Sequence, residues 1–189
     1  MTEKDVFQFY NDVVKVIYCE VEARNNTLPV ELLFEIHSAF DHIKRIYINS
    51  EQEDFACERA FSHLKRGVLD AFKLKLKYFN NDCKQITKSK SDLRIIDNGN
   101  FLHGFLRDKN KIIQESKEAR MQESVQDVDK AFEKWNNVSV LINEFEEKYF
   151  NTNKIEWAKR QSYFNFSGSF LIGIITGVIA SMIVWYVTK

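Results

Sequence analysis

Apolar residues recur along this chain at spacings of three and four, and the breaks in that recurrence predict a series of helices. Val6, Phe9, Val13, Val16 and Ile17 give one apolar side to a first helix over residues 3–24. Asn25, Asn26 and Thr27 end it, and Pro29 suits the start of a second helix reaching about residue 48. That helix carries Leu33, Ile36, Phe40, Ile43 and Tyr47 in register. Ser50 followed by Glu53 has the form of an N-cap with Glu at N3, and predicts a third helix over residues 51–78. Phe61, Leu64, Val68, Phe72 and Phe79 fall on one face of it, with Arg59, His63, Arg66, Asp70 and Lys77 nearly opposite. Two such faces predict a helix at the surface of a bundle. Over residues 80–104 the pattern lapses and Asn98-Gly99 and Gly104 mark turns, so a loop with an apolar insertion at 93–96, or an ordered elbow, is expected.

From Leu106 to Phe150 neither proline nor glycine intervenes, and a single long helix is expected. Met121, Val125, Val128, Phe132, Trp135, Ile142, Phe145 and Tyr149 form a heptad-like seam, with Ser139 where an apolar residue belongs. About 45 residues would reach roughly 65 Å. Asn136 and Asn137 mark the place for a bend.

The final pattern is different in kind. Residues 168–187 read GSFLIGIITGVIASMIVWYV, without a charge. About 20 apolar residues match the roughly 30 Å hydrocarbon core of a bilayer. A single-pass, C-terminal transmembrane anchor is expected, with the rest of the chain on the cytoplasmic side. Trp157, Tyr163, Phe164 and Phe166 before the run, and Trp185 and Tyr186 near its end, suit the two membrane interfaces. Lys154, Lys159 and Arg160 on the near side against Lys189 on the far side favour the same orientation. Ser169, Gly173, Gly177 and Ser181 recur every four residues, a small-residue stripe on which copies of the helix are expected to pack into a homo-oligomer. With no ionisable group in the run, a proton relay within one helix is excluded. The fold expected is therefore all-α: a cytosolic bundle with a basic loop at 1–105, a long helix and pre-membrane segment at 106–166, and the anchor at 167–189.

Charge and candidate chemistry narrow the function. The 27 Lys and Arg equal the 27 Asp and Glu, so no global charge calls for nucleic acid. Between Arg59 and Arg94, however, Lys65, Arg66, Lys73, Lys75, Lys77, Lys84, Lys88 and Lys90 face only Asp70, Asp82 and Asp92. Arg66, Lys73 and Lys77 are the candidates for an anionic partner, lipid headgroup or RNA. Cys19, Cys57 and Cys83 form no CxxC unit and read as reduced thiols. The histidines, His37, His42, His63 and His103, form no HExxH, and neither a phosphate-binding glycine loop nor GxSxG is present. No metal or cofactor is expected.

Arg59 and His63, four residues apart, are the one candidate catalytic pair: a guanidinium beside an imidazole suits a phosphodiester and a proton transfer. The stretches EIHSAFDHIKR and CERAFSHLKRGVLDAFK resemble the central helices of HEPN-type domains of bacterial defence and toxin systems, a resemblance that covers about 60 residues. The resemblance implies a compact helical bundle and, in the ribonucleases of that family, an arginine and a histidine paired across a dimer. Here three residues separate Arg59 from His63, and Ala60 follows the arginine. The function expected is a membrane-anchored effector or regulator that self-assembles, perturbing or permeabilising the membrane in bacterial defence, with a protein partner. The alternatives are a membrane-tethered ribonuclease and a tail-anchored adaptor without activity.

Overall fold

The structure, a computed structural model, describes residues 1–88, 93–125, 128–150 and 152–188, with the side chains of all but Asn25, Val128, Thr152 and residues 164–168. The fold is all-α, a helical bundle with an apolar C-terminal helix, and no strand occurs among the described residues. Helix α1 (Glu3–Phe9) passes through a π-helical turn (Tyr10–Val14) into α2 (Lys15–Asn25). Thereafter come α3 (Val30–Asn49), α4 (Glu53–Lys88), a 3₁₀ turn (Leu93–Gly99), α5 (Asn100–Ser124), α6 (Val128–Tyr149) and α7 (Thr152–Val187).

The helix ends follow from local chemistry. Thr2 and Asp5 form a capping box at the start of α1, where the Thr2 backbone N–H donates to Oδ2 of Asp5 at 2.8 Å. After α2, Asn26 adopts a left-handed backbone at φ 50°, which asparagine tolerates. Pro29 precedes α3 as expected, and its carbonyl accepts the first helical bond, from Leu33 at 3.1 Å. Ser50 corrects the sequence reading. It stands at φ 52° and closes α3, whereas an N-cap needs extended backbone, so it does not open α4. Helix α4 also runs ten residues beyond the expected end at residue 78.

Two compact units make up the chain: Met1–Asn81 with Asn110–Glu144, and Asp82–Lys109 with Phe145–Lys189. In the first, Val6, Val14 and Val21 from the N-terminal helices, Leu32 and Ala39 from α3, and Leu64 and Val68 from α4 are buried with Ile112, Trp135 and Ile142. In the second, aromatic rings carry the packing. Phe105 meets Phe145 edge-on at 5.0 Å, and Phe145 lies 4.6 Å from Tyr149. Tyr149 donates to Oδ2 of Asp108 at 2.6 Å. Gly104 makes room for it, since a Cβ there would stand 2.7 Å from the tyrosine oxygen. Asp97, Asn98 and Gly99 turn the chain with three successive positive φ values, so the segment before α5 is an ordered elbow with Leu93 and Ile96 buried.

The single helix expected over residues 106–150 is two antiparallel helices. Lys134 on α6 binds Glu118 on α5 at 2.9 Å, and farther along Lys148 binds Asp108 at 2.9 Å. The seam survives on α6 alone: Ala131, Trp135, Val138, Ile142, Phe145 and Tyr149 are buried at alternating spacings of four and three, with Ser139 buried beside Val138. Met121 and Val125, expected on the same seam, are largely exposed, and Asn136 and Asn137 sit inside an unbroken α6. The side chain of Val128 lies outside the described residues.

Helix α4 keeps the exposed polar side expected of it, with Arg59, Arg66 and Lys77, and buries the opposite one. Several of its cations tie it to neighbouring helices. Lys65 pairs with Asp129, Lys73 with Asp70 at 3.0 Å and Glu123 at 2.5 Å, and Arg66 approaches Glu35 at 3.9 Å. Lys75 is the extreme case. Its side chain is 1% exposed, and its ammonium donates to Oγ of Ser139 at 2.8 Å and Oδ1 of Asn143 at 2.6 Å while pairing with Glu20. The polar gap in the α6 seam is thus the acceptor for a buried cation. Lys90 and Asp92, part of the basic stretch, lie outside the described residues.

Deleting this cation is expected to be costly. Lys75→Ala removes buried methylenes and strands two polar acceptors, and about 2–4 kcal/mol of stability should be lost in urea unfolding of the detergent-solubilised chain. Lys75→Met, which keeps the stem but not the donor, should recover only the packing part of the loss. Unchanged stability of Lys75→Ala would contradict this reading of the core.

Candidate functional site

Two places on the molecule carry features beyond packing, and the first lies between α3 and α4. Arg59, His63 and Arg66 follow one another at intervals of four and three on α4, and Glu35 and His42, seven apart, share a side of α3. The helices approach closely here because residue 67 is glycine, whose added Cβ would stand 2.7 Å from Cδ1 of Leu32. Nδ1 of His63 donates to Oε2 of Glu35 at 2.6 Å, with the two side chains 27% and 20% exposed. Oε1 of the same carboxylate faces Arg66. His42 stacks on His63 with ring centroids 5.2 Å apart.

Arg59, by contrast, is exposed, and its guanidinium lies over the ring of Phe55 at 4.0 Å. Glu35 holds the His63 ring so that Nδ1 carries the hydrogen and Nε2 remains for chemistry, the arrangement by which a carboxylate orients a general base. Asp41, next to His42 on α3, is held down to about 2 by hydrogen bonds from Lys44 and Arg45 and stays ionised. Of the three cations expected to meet an anionic partner, Lys73 is half-buried in its ion pairs, while Arg66 and Lys77 are exposed.

Glu35 and His42 were not singled out by sequence reasoning. Glu35 lies 28 residues from His63 and only the fold unites them. The available signal was the seven-residue interval on α3, which repeats the Arg59-to-Arg66 interval on α4.

The second place is the far part of α7. Ser169–Val187 is the one stretch among the described residues long and apolar enough to cross a membrane, with mean hydropathy 2.3 and no part of it buried within the chain. The helix is therefore not a core helix of this chain, since a core helix would be covered. Its hydroxyls turn inward on their own helix: Thr176 donates to the Ile172 carbonyl at 2.8 Å and Ser181 to the Gly177 carbonyl at 2.9 Å. A Cβ added at Gly173 or Gly177 would meet nothing within 4 Å. With Ser181 these glycines floor a shallow groove walled by Ile174, Val178, Met182 and Trp185. Ser169, the first of the stripe, is exposed.

The helix also measures where the aromatic residues stand. Trp185 and Tyr186 are exposed at the far end of the apolar stretch. Tyr163 is exposed six residues before Ser169, about 9 Å along the axis, and Trp157 twelve residues before it, about 18 Å. Trp157 lines a hollow with Ile95, Ile96 and Lys154, and Lys154 pairs with Asp97 at 3.2 Å. The side chains of Phe164 and Phe166, and Lys189, lie outside the described residues.

Fold and sites thus define a class, an α-helical bundle bearing one exposed apolar helix. Compared with protein-family models, curated proteins and solved structures, the chain matches none.

The Glu35–His63 contact is expected to add modestly to stability. Glu35→Ala should cost about 1 kcal/mol in urea unfolding, because both partners remain partly solvated. An unchanged midpoint would show that the contact contributes nothing to holding α3 against α4.

Proposed function

We propose that this chain is a membrane-anchored helical effector or regulator, held in the bilayer by Ser169–Val187 and assembled with copies of itself along Gly173, Gly177 and Ser181. One observation carries the reading: an apolar stretch of 19 residues in a helix that nothing among the described residues covers. In water such a surface drives aggregation, whereas about 28 Å of helix fits the hydrocarbon core. The internal satisfaction of Thr176 and Ser181 removes the main cost of placing hydroxyls in lipid. The bundle then lies on the cytoplasmic side, the side on which Lys154, Lys159 and Arg160 flank the span.

In this arrangement Trp185 and Tyr186 lie at the far interface, Tyr163 stands at the outer edge of the near one, and Trp157 lies beyond the headgroup layer. Headgroups extend only about 5–8 Å beyond the hydrocarbon. The part of α7 before Ser169 acts as a stem that holds the 93–99 elbow clear of the bilayer, with Trp157 lining a hollow against it. Close-packed spans are the means by which the assembly would perturb the membrane, and the bundle is the part offered to a protein partner. The defence setting rests on the HEPN resemblance alone.

The mass of the chain in nanodiscs tests this reading. A defined oligomer is expected, with Gly173→Leu/Gly177→Leu weakening self-association by at least tenfold, since two leucines fill the groove that lets backbones meet. A monomer at all concentrations, or an oligomer indifferent to both substitutions, would remove the span from assembly.

A second reading, a membrane-tethered ribonuclease, is favoured by the carboxylate-oriented imidazole of His63 near Arg59 and Arg66. Single-stranded RNA incubated with the purified chain is then cleaved, and His63→Ala and Arg59→Ala each reduce the rate at least a hundredfold. Intact RNA after incubation with the assembled protein rules this reading out.

A further inference from the structure

Around His42 the seam between α3 and α4 holds more positive charge than it neutralises. The ring of His42 lies against that of His63, with centroids at 5.2 Å and planes 25° apart. Nδ1 of His42 is buried and finds no hydrogen-bond partner among the described residues. The groups that bear on it are Arg45 on α3, Arg59 and His63 on α4, and Glu51 in the connection between the two helices. Glu35 and Arg66 bear in turn on His63, and Asp41 is engaged by Lys44 and Arg45. Beside this cluster the helices are at close approach, with a Gly67 Cβ position only 3.0 Å from Cβ of Glu35. A small repulsion here therefore acts on tightly packed backbone.

We propose that His42 stacked on His63 is a pH-sensitive latch on α3, closed while His42 is neutral and loosened when it takes a proton in mildly acidic medium. A neutral imidazole can lie face to face with a second one between guanidinium groups. A protonated one sets a like charge against Arg45 and Arg59 and buries an N–H that has no acceptor. Opening of α3 relieves both by admitting water to the ring. The stability of the seam then depends on pH in a definite direction. Burial, followed by Arg45, His63 and Arg59, pushes the His42 imidazole below its ordinary range. The opened state takes up the proton more readily, so the stabilisation is full above about pH 6.5 and declines as pH falls toward the lower folded value. Leu32, Ala39 and Ile43 of α3 stay buried in the bundle, so the loosening is a local loss of protection and not release of the whole helix.

Hydrogen exchange of the full chain in detergent, at about pH 7.5 and about pH 5.5 with intrinsic rates corrected, tests the latch. Amides of α3 should lose protection relative to those of α6, by up to about tenfold per pH unit, the limit for one linked proton. His42→Gln, which cannot take the charge, should abolish the difference. If that variant fails to fold, His63→Gln, which removes the facing ring, should shrink the loss instead. Equal loss in α3 and α6, or the same α3 loss with His42 replaced, would overturn the proposal.

Discussion

A lysine ammonium buried on the central helix organises the first compact unit. Lys75 has to find its acceptors inside the protein, and it finds them on two other helices: Glu20 on α2, and Ser139 and Asn143 on α6. A hydrophobic residue would fill the same volume and tolerate several rotations of its neighbours. A cation with directed donors does not, so α2, α4 and α6 have one register that satisfies it. The same logic runs along α4 more weakly, through Lys65 to Asp129 and Lys73 to Glu123. A stretch that is strongly basic as sequence becomes, in the fold, a row of ties between helices. Within it, Lys65, Lys73 and Lys75 are engaged by the chain's own carboxylates, while Arg66 and Lys77 stay exposed.

Much of the architecture was legible because it depends on local chemistry. Asn26 and Pro29 mark a real break, Leu93 and Ile96 are buried where the apolar insertion was expected, and the apolar run at the end is a helix. The misses share a cause. Nothing between Leu106 and Phe150 breaks helix propensity, yet the chain reverses before Val128, because stacking α6 on α5 buries Trp135, Ile142 and Ile112, which one extended helix would leave in water. Ser50 looked like an N-cap from its neighbours and was taken by the end of the preceding helix. Ser139 looked like a flaw in the seam, and its reason lies 64 residues away in Lys75. Of the candidate site, Arg59 and His63 were visible as a pair on one helix. The residue that engages His63 was not, because Glu35 belongs to a different helix and only its interval from His42 hinted at a shared face.

The two ends of the molecule thus obey opposite solvents. In the bundle, polar groups are matched across helices, down to a buried ammonium. In Ser169–Val187 the polar groups bond back to their own helix and the surface is left to apolar side chains. Helix α7 is continuous from Thr152 to Val187, and near its start Lys154 meets Asp97 while Trp157 lines a hollow with Ile95 and Ile96.

The central claim is that lipid covers the apolar helix, and spin labels placed singly along residues 160–188 of the chain in liposomes measure it directly. The account predicts that accessibility to dissolved oxygen rises to a maximum near Gly177 while accessibility to a water-soluble nickel reagent falls to a minimum there, with Lys159 and Arg160 back in water. Protection from both reagents along the whole stretch, as in a packed protein interior, or free access for nickel throughout, would contradict it.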